Sequence, residues 1–143
     1  MKLIHVVCFH CDAINRIPTV RLPDNPRCGQ CKQSLFAHQS VALRGSNFDR
    51  HVGNSDIPVV VDFWAPWCNP CNTMAPAFEQ ATTQLEPHVR LTKVNTEVEQ
   101  ALAGRFNIRS LPTLVIFRNG GEIARQLGVM TAQDIVNWVQ SRI

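Results

Sequence analysis

Six cysteines stand in three pairs, and two residues separate the sulfurs within each pair: Cys8 and Cys11, Cys28 and Cys31, Cys68 and Cys71. In a reducing compartment such spacing marks metal binding or redox catalysis rather than structural cross-links. The first two pairs have 16 residues between them, the separation of a four-cysteine zinc ribbon. Each Cys-x2-Cys makes a tight turn that aims two sulfurs at one centre, and Gly29 relieves backbone crowding in the second turn. Residues 1–38 hold few large apolar groups and three of the nine prolines, Pro18, Pro23 and Pro26. A piece this small does not fold on burial alone, so one structural Zn2+ on Cys8, Cys11, Cys28 and Cys31 is expected to supply its stability. Four protein ligands leave no open position for a substrate. His5 and His10 read as solvated side chains or as neighbours of the ligands. The alternative for the four sulfurs is a set of free or redox-active thiols.

The chain has 143 residues, 45% hydrophobic and 17% charged, enough for one core plus a small appendage. Composition changes near Ala37 to Ser40, which predicts a zinc-ribbon module at 1–38 and a second domain at 39–143. No run approaches the roughly 18 to 20 apolar residues that cross a bilayer. Met1 to Phe9 is too short and too interrupted for a secretory core, so the cytoplasm is the expected compartment and no membrane partner is expected. Residues 1–40 carry five Lys and Arg against two Asp, and the remainder is balanced. Four thiolates around Zn2+ would reduce that excess to about +1, so a nucleic-acid partner does not follow from charge. A monomer is expected.

From Val41 onward the pattern alternates between strand and helix. Ser46 with Asp49 suggests a capping box that opens a short helix near Asn47. Ile57 to Trp64 reads as a strand buried on both faces, and Cys68 to Leu85 as a helix with Pro76 inside it. Val89 to Val94 is a second strand, parallel to the first, followed by a helix from near Thr96 to Phe106. Thr113 to Phe117 and Ile123 to Leu127 flank Asn119, Gly120 and Gly121, which predicts an antiparallel hairpin. Thr131 to Ile143 closes the chain with a helix whose Ile135, Val139 and Ile143 share a face. The sum is an α/β fold with a mixed central sheet flanked by helices.

Trp67-Cys68-Asn69-Pro70-Cys71 follows the buried strand directly and opens the next helix. Unpaired N–H groups and the positive end of the helix dipole meet at that terminus, so a Cys68 thiolate is stabilised and becomes a nucleophile near neutral pH. Cys71, one turn on, is placed to close a disulfide with it and is expected to be the more buried sulfur. Cys68 attacks a substrate disulfide, and Cys71 resolves the mixed disulfide.

The segment Val61-Asp62-Phe63-Trp64-Ala65-Pro66-Trp67-Cys68-Asn69-Pro70-Cys71 resembles the active site of the thioredoxin family, and the likeness runs over residues 41–143. Leu111-Pro112-Thr113 resembles the family's cis-proline segment, and Pro76 its helix-kinking proline. Preceded by four zinc-ligand cysteines, the whole resembles the zinc-containing bacterial thioredoxin 2 group. The resemblance implies a thioredoxin fold and protein-disulfide reductase activity, with thioredoxin reductase and disulfide-bearing proteins as partners. It further implies Asp62 as the buried acid that takes the Cys71 proton and Lys93 as its tuning partner. Trp67, Leu111, Pro112 and Gly128 would bind substrate. Asn69 and Asn72 depart from the usual Gly and Lys, which alters the local stabilisation of the thiolate; the Asn69 amide is a possible donor to sulfur. Competing readings are a thiol oxidase or isomerase, and a zinc-dependent binding module, for protein or nucleic acid, on the same scaffold.

Overall fold

The computed structural model describes residues 2–143; Met1, the first residue of the expected zinc module, lies outside them. Strands β1 (Leu3–Val7) and β2 (Ile14–Pro18) form a two-stranded antiparallel sheet in which Leu3 faces Pro18 and Val7 faces Ile14. A 3-10 helix over Thr19–Asp24 follows. The larger sheet has the order β3-β5-β4-β6-β7, from β3 (Val41–Ala42), β4 (Val59–Trp64), β5 (Arg90–Asn95), β6 (Thr113–Arg118) and β7 (Gly121–Leu127). β3, β5 and β4 run parallel, whereas β6 and β7 pair antiparallel. The helices are α1 (Phe48–Asn54), α2 (Asn69–Leu85), α3 (Gln100–Arg105) and α4 (Ala132–Arg142).

Strand alternation decides which side chains meet which helices, because successive residues point to opposite faces. Val60, Leu91, Leu114 and Ile116 pack against Met74, Phe78 and Leu85 of α2 and Ile135 and Val139 of α4. Val59, Val61, Phe63, Val94 and Phe117 point the other way, onto Phe48 and Val52 of α1 and Leu102 of α3. Asp62 shares the parity of Val60, so it faces the layer that contains α2. The expected mixed sheet with helices on both sides is what the chain forms.

The ribbon packs beside α1 and the start of β5. Ile4, Val6, Leu22, Leu35 and Phe36 form its apolar centre, with Ile57 contributed from the entrance to β4. Polar contacts seal the junction: the Asp56 N–H donates to the His5 carbonyl at 2.8 Å, and His51 Nε2 lies 2.8 Å from Asp12 Oδ1.

Several local expectations give way. No capping box forms at Ser46; Asn47 is the N-cap of α1 and its Oδ1 accepts from the Arg44 N–H instead. Thr96 does not cap a helix, since its hydroxyl donates to the Trp64 carbonyl at 2.9 Å and α3 begins only at Gln100. Ile143 is exposed, and Val136 takes its place beside Ile135 and Val139 on the buried face of α4. The hairpin is met, with Asn119 and Gly120 both at positive φ, as a tight two-residue turn between twisted strands requires.

Candidate active site and metal centre

The end of β4 and the beginning of α2 bring the third cysteine pair to the edge of the sheet. Cys68 is the N-cap of α2, and its sulfur accepts from the Cys71 N–H at 3.2 Å. Pro70 occupies the first turn, where no backbone donor is needed. Cys68 and Cys71 are joined as a disulfide, with their Cα atoms 5.3 Å apart. Upon reduction the same N–H and the helix terminus favour the anionic form of Cys68. The expected contrast in burial is absent from this oxidised form, in which Cys68 is 5% and Cys71 4% exposed. Both sulfurs pack with Ala65, Trp64 and Leu111, and access is from the side of Trp67, which is 68% exposed.

Asp62 is 2% exposed and its Oδ1 has no hydrogen-bond partner. It lies in register with Lys93 on β5 and Leu114 on β6. Burial pushes its carboxyl up to about 7; Lys93 opposes the rise and Glu79 adds to it. A carboxyl with that balance can exchange a proton near neutral pH. The Lys93 ammonium sits 4.7 Å from the centre of the Trp64 ring.

The peptide bond between Leu111 and Pro112 is cis, as is that between Glu86 and Pro87, for which the sequence carried no expectation. Gly128, at φ +94°, donates its N–H to the Pro112 carbonyl at 2.9 Å and so ties the β7 end to the cis-proline loop. A groove of about 530 Å³ runs between Trp67, Asn69 and Pro70 on one side and Ile108, Arg109 and Leu111 on the other, with Cys68 in its wall. Asn72 donates its amide N–H to the Pro66 carbonyl at 3.2 Å.

The other four cysteines converge between the two knuckles of the ribbon. All four sulfurs lie within 4.8 Å of one another, with Cys8 to Cys31 and Cys11 to Cys28 both at 3.6 Å. Tetrahedral zinc with Zn–S bonds of about 2.3 Å requires sulfur separations of about 3.8 Å, so the cluster suits such an ion. N–H groups surround the sulfurs: His10 N donates to Cys8, while Gln30 N, Cys31 N and Asn15 Nδ2 donate to Cys28. Against its burial, the donors around Cys28 bring its thiol down to about 6, towards the thiolate that ligates a metal. Burial pushes the Cys8 thiol up to about 12. His5 turns to Asp56 and is not in the cluster.

Some contributors carry no sequence signal. Asn15 buttresses the second knuckle by accepting from Gly29 N at 2.8 Å, yet nothing in its spacing marks it. Glu79, Ser40 and Arg90 likewise read as ordinary helix, linker and strand residues. Only the tertiary packing gives them roles.

Residues 39–141 match the Thioredoxin family, and residues 7–33 match the family described as Thioredoxin 2, N-terminal. Thioredoxin C-3 of Corynebacterium nephridii is 40% identical over 138 residues, covering 96% of this chain and 94% of that protein. A thioredoxin of Haemophilus influenzae is 36% identical over 71% of this chain and 94% of its own length. Thioredoxin 1 of a Nostoc species is 42% identical over 59% of this chain and 79% of its own.

Proposed function

The chain belongs to the thioredoxin family, and from that premise we propose that it is a protein-disulfide reductase in which Cys68 attacks and Cys71 resolves. The observation that carries this reading is the Cys68 sulfur at the N-terminus of α2, bonded to Cys71 and opening onto the groove beside Trp67. The cycle begins with the two thiols reduced. The Cys68 thiolate attacks one sulfur of the substrate disulfide, that S–S bond breaks, and the other substrate sulfur leaves as a thiolate. Cys71 then gives its proton to the Asp62 carboxylate and attacks the Cys68 sulfur. The second substrate thiolate departs as the Cys68–Cys71 bond forms, so two electrons have passed to the substrate.

Each remaining site residue has a part in this scheme. Asp62 accepts the Cys71 proton and Lys93 limits how tightly it holds it, a division supported by their adjacent register and the raised proton affinity of Asp62. Trp67 presents an aromatic face to the substrate, and Leu111 offers backbone to an extended segment. Pro112 and Gly128 hold that backbone in place, supported by the Gly128 to Pro112 hydrogen bond.

The module of residues 1–38 holds one Zn2+ on Cys8, Cys11, Cys28 and Cys31, and residues 39–143 form the catalytic domain. Zinc bound there supplies folding stability and no open coordination position. Among the described residues no helix is long and apolar enough to cross a membrane. The working partners are a thioredoxin reductase, which returns the disulfide to the dithiol, and disulfide-bearing proteins, met by a monomer in the cytoplasm.

The test is a protein-disulfide assay coupled to thioredoxin reductase, with zinc quantified on the same sample. Turnover lost in Cys68→Ser, with one zinc per chain retained, is the expected result. Full turnover in Cys68→Ser would move the attacking sulfur elsewhere, and absence of turnover in the unaltered protein would favour a binding module.

A further inference from the structure

The segment that leads from the ribbon into the large sheet does not hang free. His38 N donates to Glu86 Oε1 at 2.8 Å, and Ser40 donates to Glu79 twice, from its N–H to Oε1 at 2.9 Å and from its hydroxyl to Oε2 at 2.5 Å. Glu79 lies within α2, and Glu86, the C-cap of that helix, follows seven residues later, about two turns further along. With both oxygens engaged, the Glu79 carboxylate is fixed in position rather than free to sweep through solvent.

That position bears on the active site. Glu79 and Lys93 line the same hollow of about 670 Å³, together with His38, Ser40 and Thr83. Lys93 is the register partner of Asp62, one strand nearer the β3 edge of the sheet. The charged groups that act on the Asp62 carboxyl are Lys93 from β5 and Glu79 from α2. β6 presents Leu114, which packs in one apolar cluster with Ile135 and Val139 of α4. A cation alone beside Asp62 would make it a stronger acid and a poorer acceptor for a thiol proton. A second carboxylate offsets that cation.

We propose that Glu79 is a positioning residue for the proton step: fixed by Ser40, it holds a negative charge opposite Lys93 and keeps Asp62 able to take the proton from Cys71. The proposal rests on the reading of Asp62 as that acceptor. Because the N–H that fixes Glu79 belongs to the connection between the modules, the tuning of the catalytic acid is built into the way the ribbon is joined on.

The experiment uses the full-length, zinc-loaded protein. The Asp62 side-chain carboxyl is titrated by carbon NMR in the oxidised form, and resolution of a preformed mixed disulfide is followed across pH in single turnover. Glu79→Gln is expected to lower the Asp62 midpoint by roughly half a pH unit and to slow resolution near neutral pH about twofold. Ser40→Ala should move it the same way by less, and Lys93→Gln should move it upward. An Asp62 midpoint in Glu79→Gln within about 0.1 unit of wild type, with the fold intact by circular dichroism, overturns the proposal. If Asp62→Asn leaves the resolution profile unchanged, the reading of Asp62 itself fails and the proposal falls with it. If Asp62→Asn alters the profile and Glu79→Gln does not, only the role of Glu79 is lost.

Discussion

The guanidinium of Arg90 sits over the ring of Phe36, 4.5 Å from its centre, so that a side chain from the central sheet forms the middle of the contact with the ribbon. Its Nη2 donates to the carbonyls of Leu35 at 2.8 Å and Val7 at 3.2 Å, and Nη1 lies 3.6 Å from Glu86 Oε2. Arg90 is 1% exposed; burial pulls its pKa down to about 10, against the opposing pull of Glu86, and it stays cationic. A buried charge is tolerated only when paired and hydrogen-bonded, and these partners come from both modules.

Arg90→Ala is therefore expected to destabilise the protein by about 3 to 5 kcal/mol in urea unfolding, because it strands Glu86 and two buried carbonyls. The double variant Glu86→Gln with Arg90→Met should recover part of that loss. A single-variant cost below about 1 kcal/mol would show that the cation contributes no more than a surface pair.

Asp62 carries a pH signature of a particular sign. Burial raises its carboxyl to about 7 in the folded protein, well above the ordinary carboxylate range, so the native state binds the extra proton. Stability from this group is greatest below the unfolded pKa and declines as pH rises towards 7. Asp62→Asn should consequently gain on wild type across that interval, by roughly 2 to 4 kcal/mol at pH 8 relative to pH 4. A difference between the two proteins that is flat with pH would contradict the burial argument.

On the proposed order of attack, Cys71→Ser should accumulate a mixed disulfide between Cys68 and a substrate protein, visible as a covalent adduct by non-reducing electrophoresis. Cys68→Ser should form none. Adduct formation through Cys71 at a comparable rate would reverse the order of the two sulfurs.

Removal of the metal should be felt unevenly. Strong chelation is expected to speed amide exchange in β1, β2 and the two knuckles by on the order of 10³ or more, since so small a core cannot hold them. Exchange in β4 and β6, which draw on the apolar clusters of the large sheet, should change by less than about tenfold. Equal loss of protection in both sheets would mean that they unfold as one unit.

The sequence made most of the architecture legible because strand alternation, the strand-to-helix position of Cys68 and the spacing of the first four cysteines are all local patterns. Asn119 and Gly120 placed the hairpin for the same reason. What escaped was set by packing between distant segments. β3 has only Val41 and Ala42 and shows no period at all. Thr96 looked like a cap, yet β4 offers its hydroxyl the Trp64 carbonyl. Arg90 and Glu79 take their roles from residues 55 and 39 positions away, at Leu35 and Ser40, and no window along the chain contains both partners.

The tie between Asp12 and α1 has a consequence for anyone rearranging the molecule. Asp12 follows Cys11 directly, pairs with His51, and its backbone carbonyl accepts from Arg50. A chimera that fused residues 1–40 to another protein of the family would leave that aspartate and the ring of Phe36 without counterparts, unless His51, Arg50 and Arg90 were transplanted with them. The ribbon is separable as text but interlocked as an object, and grafting it demands a matched socket.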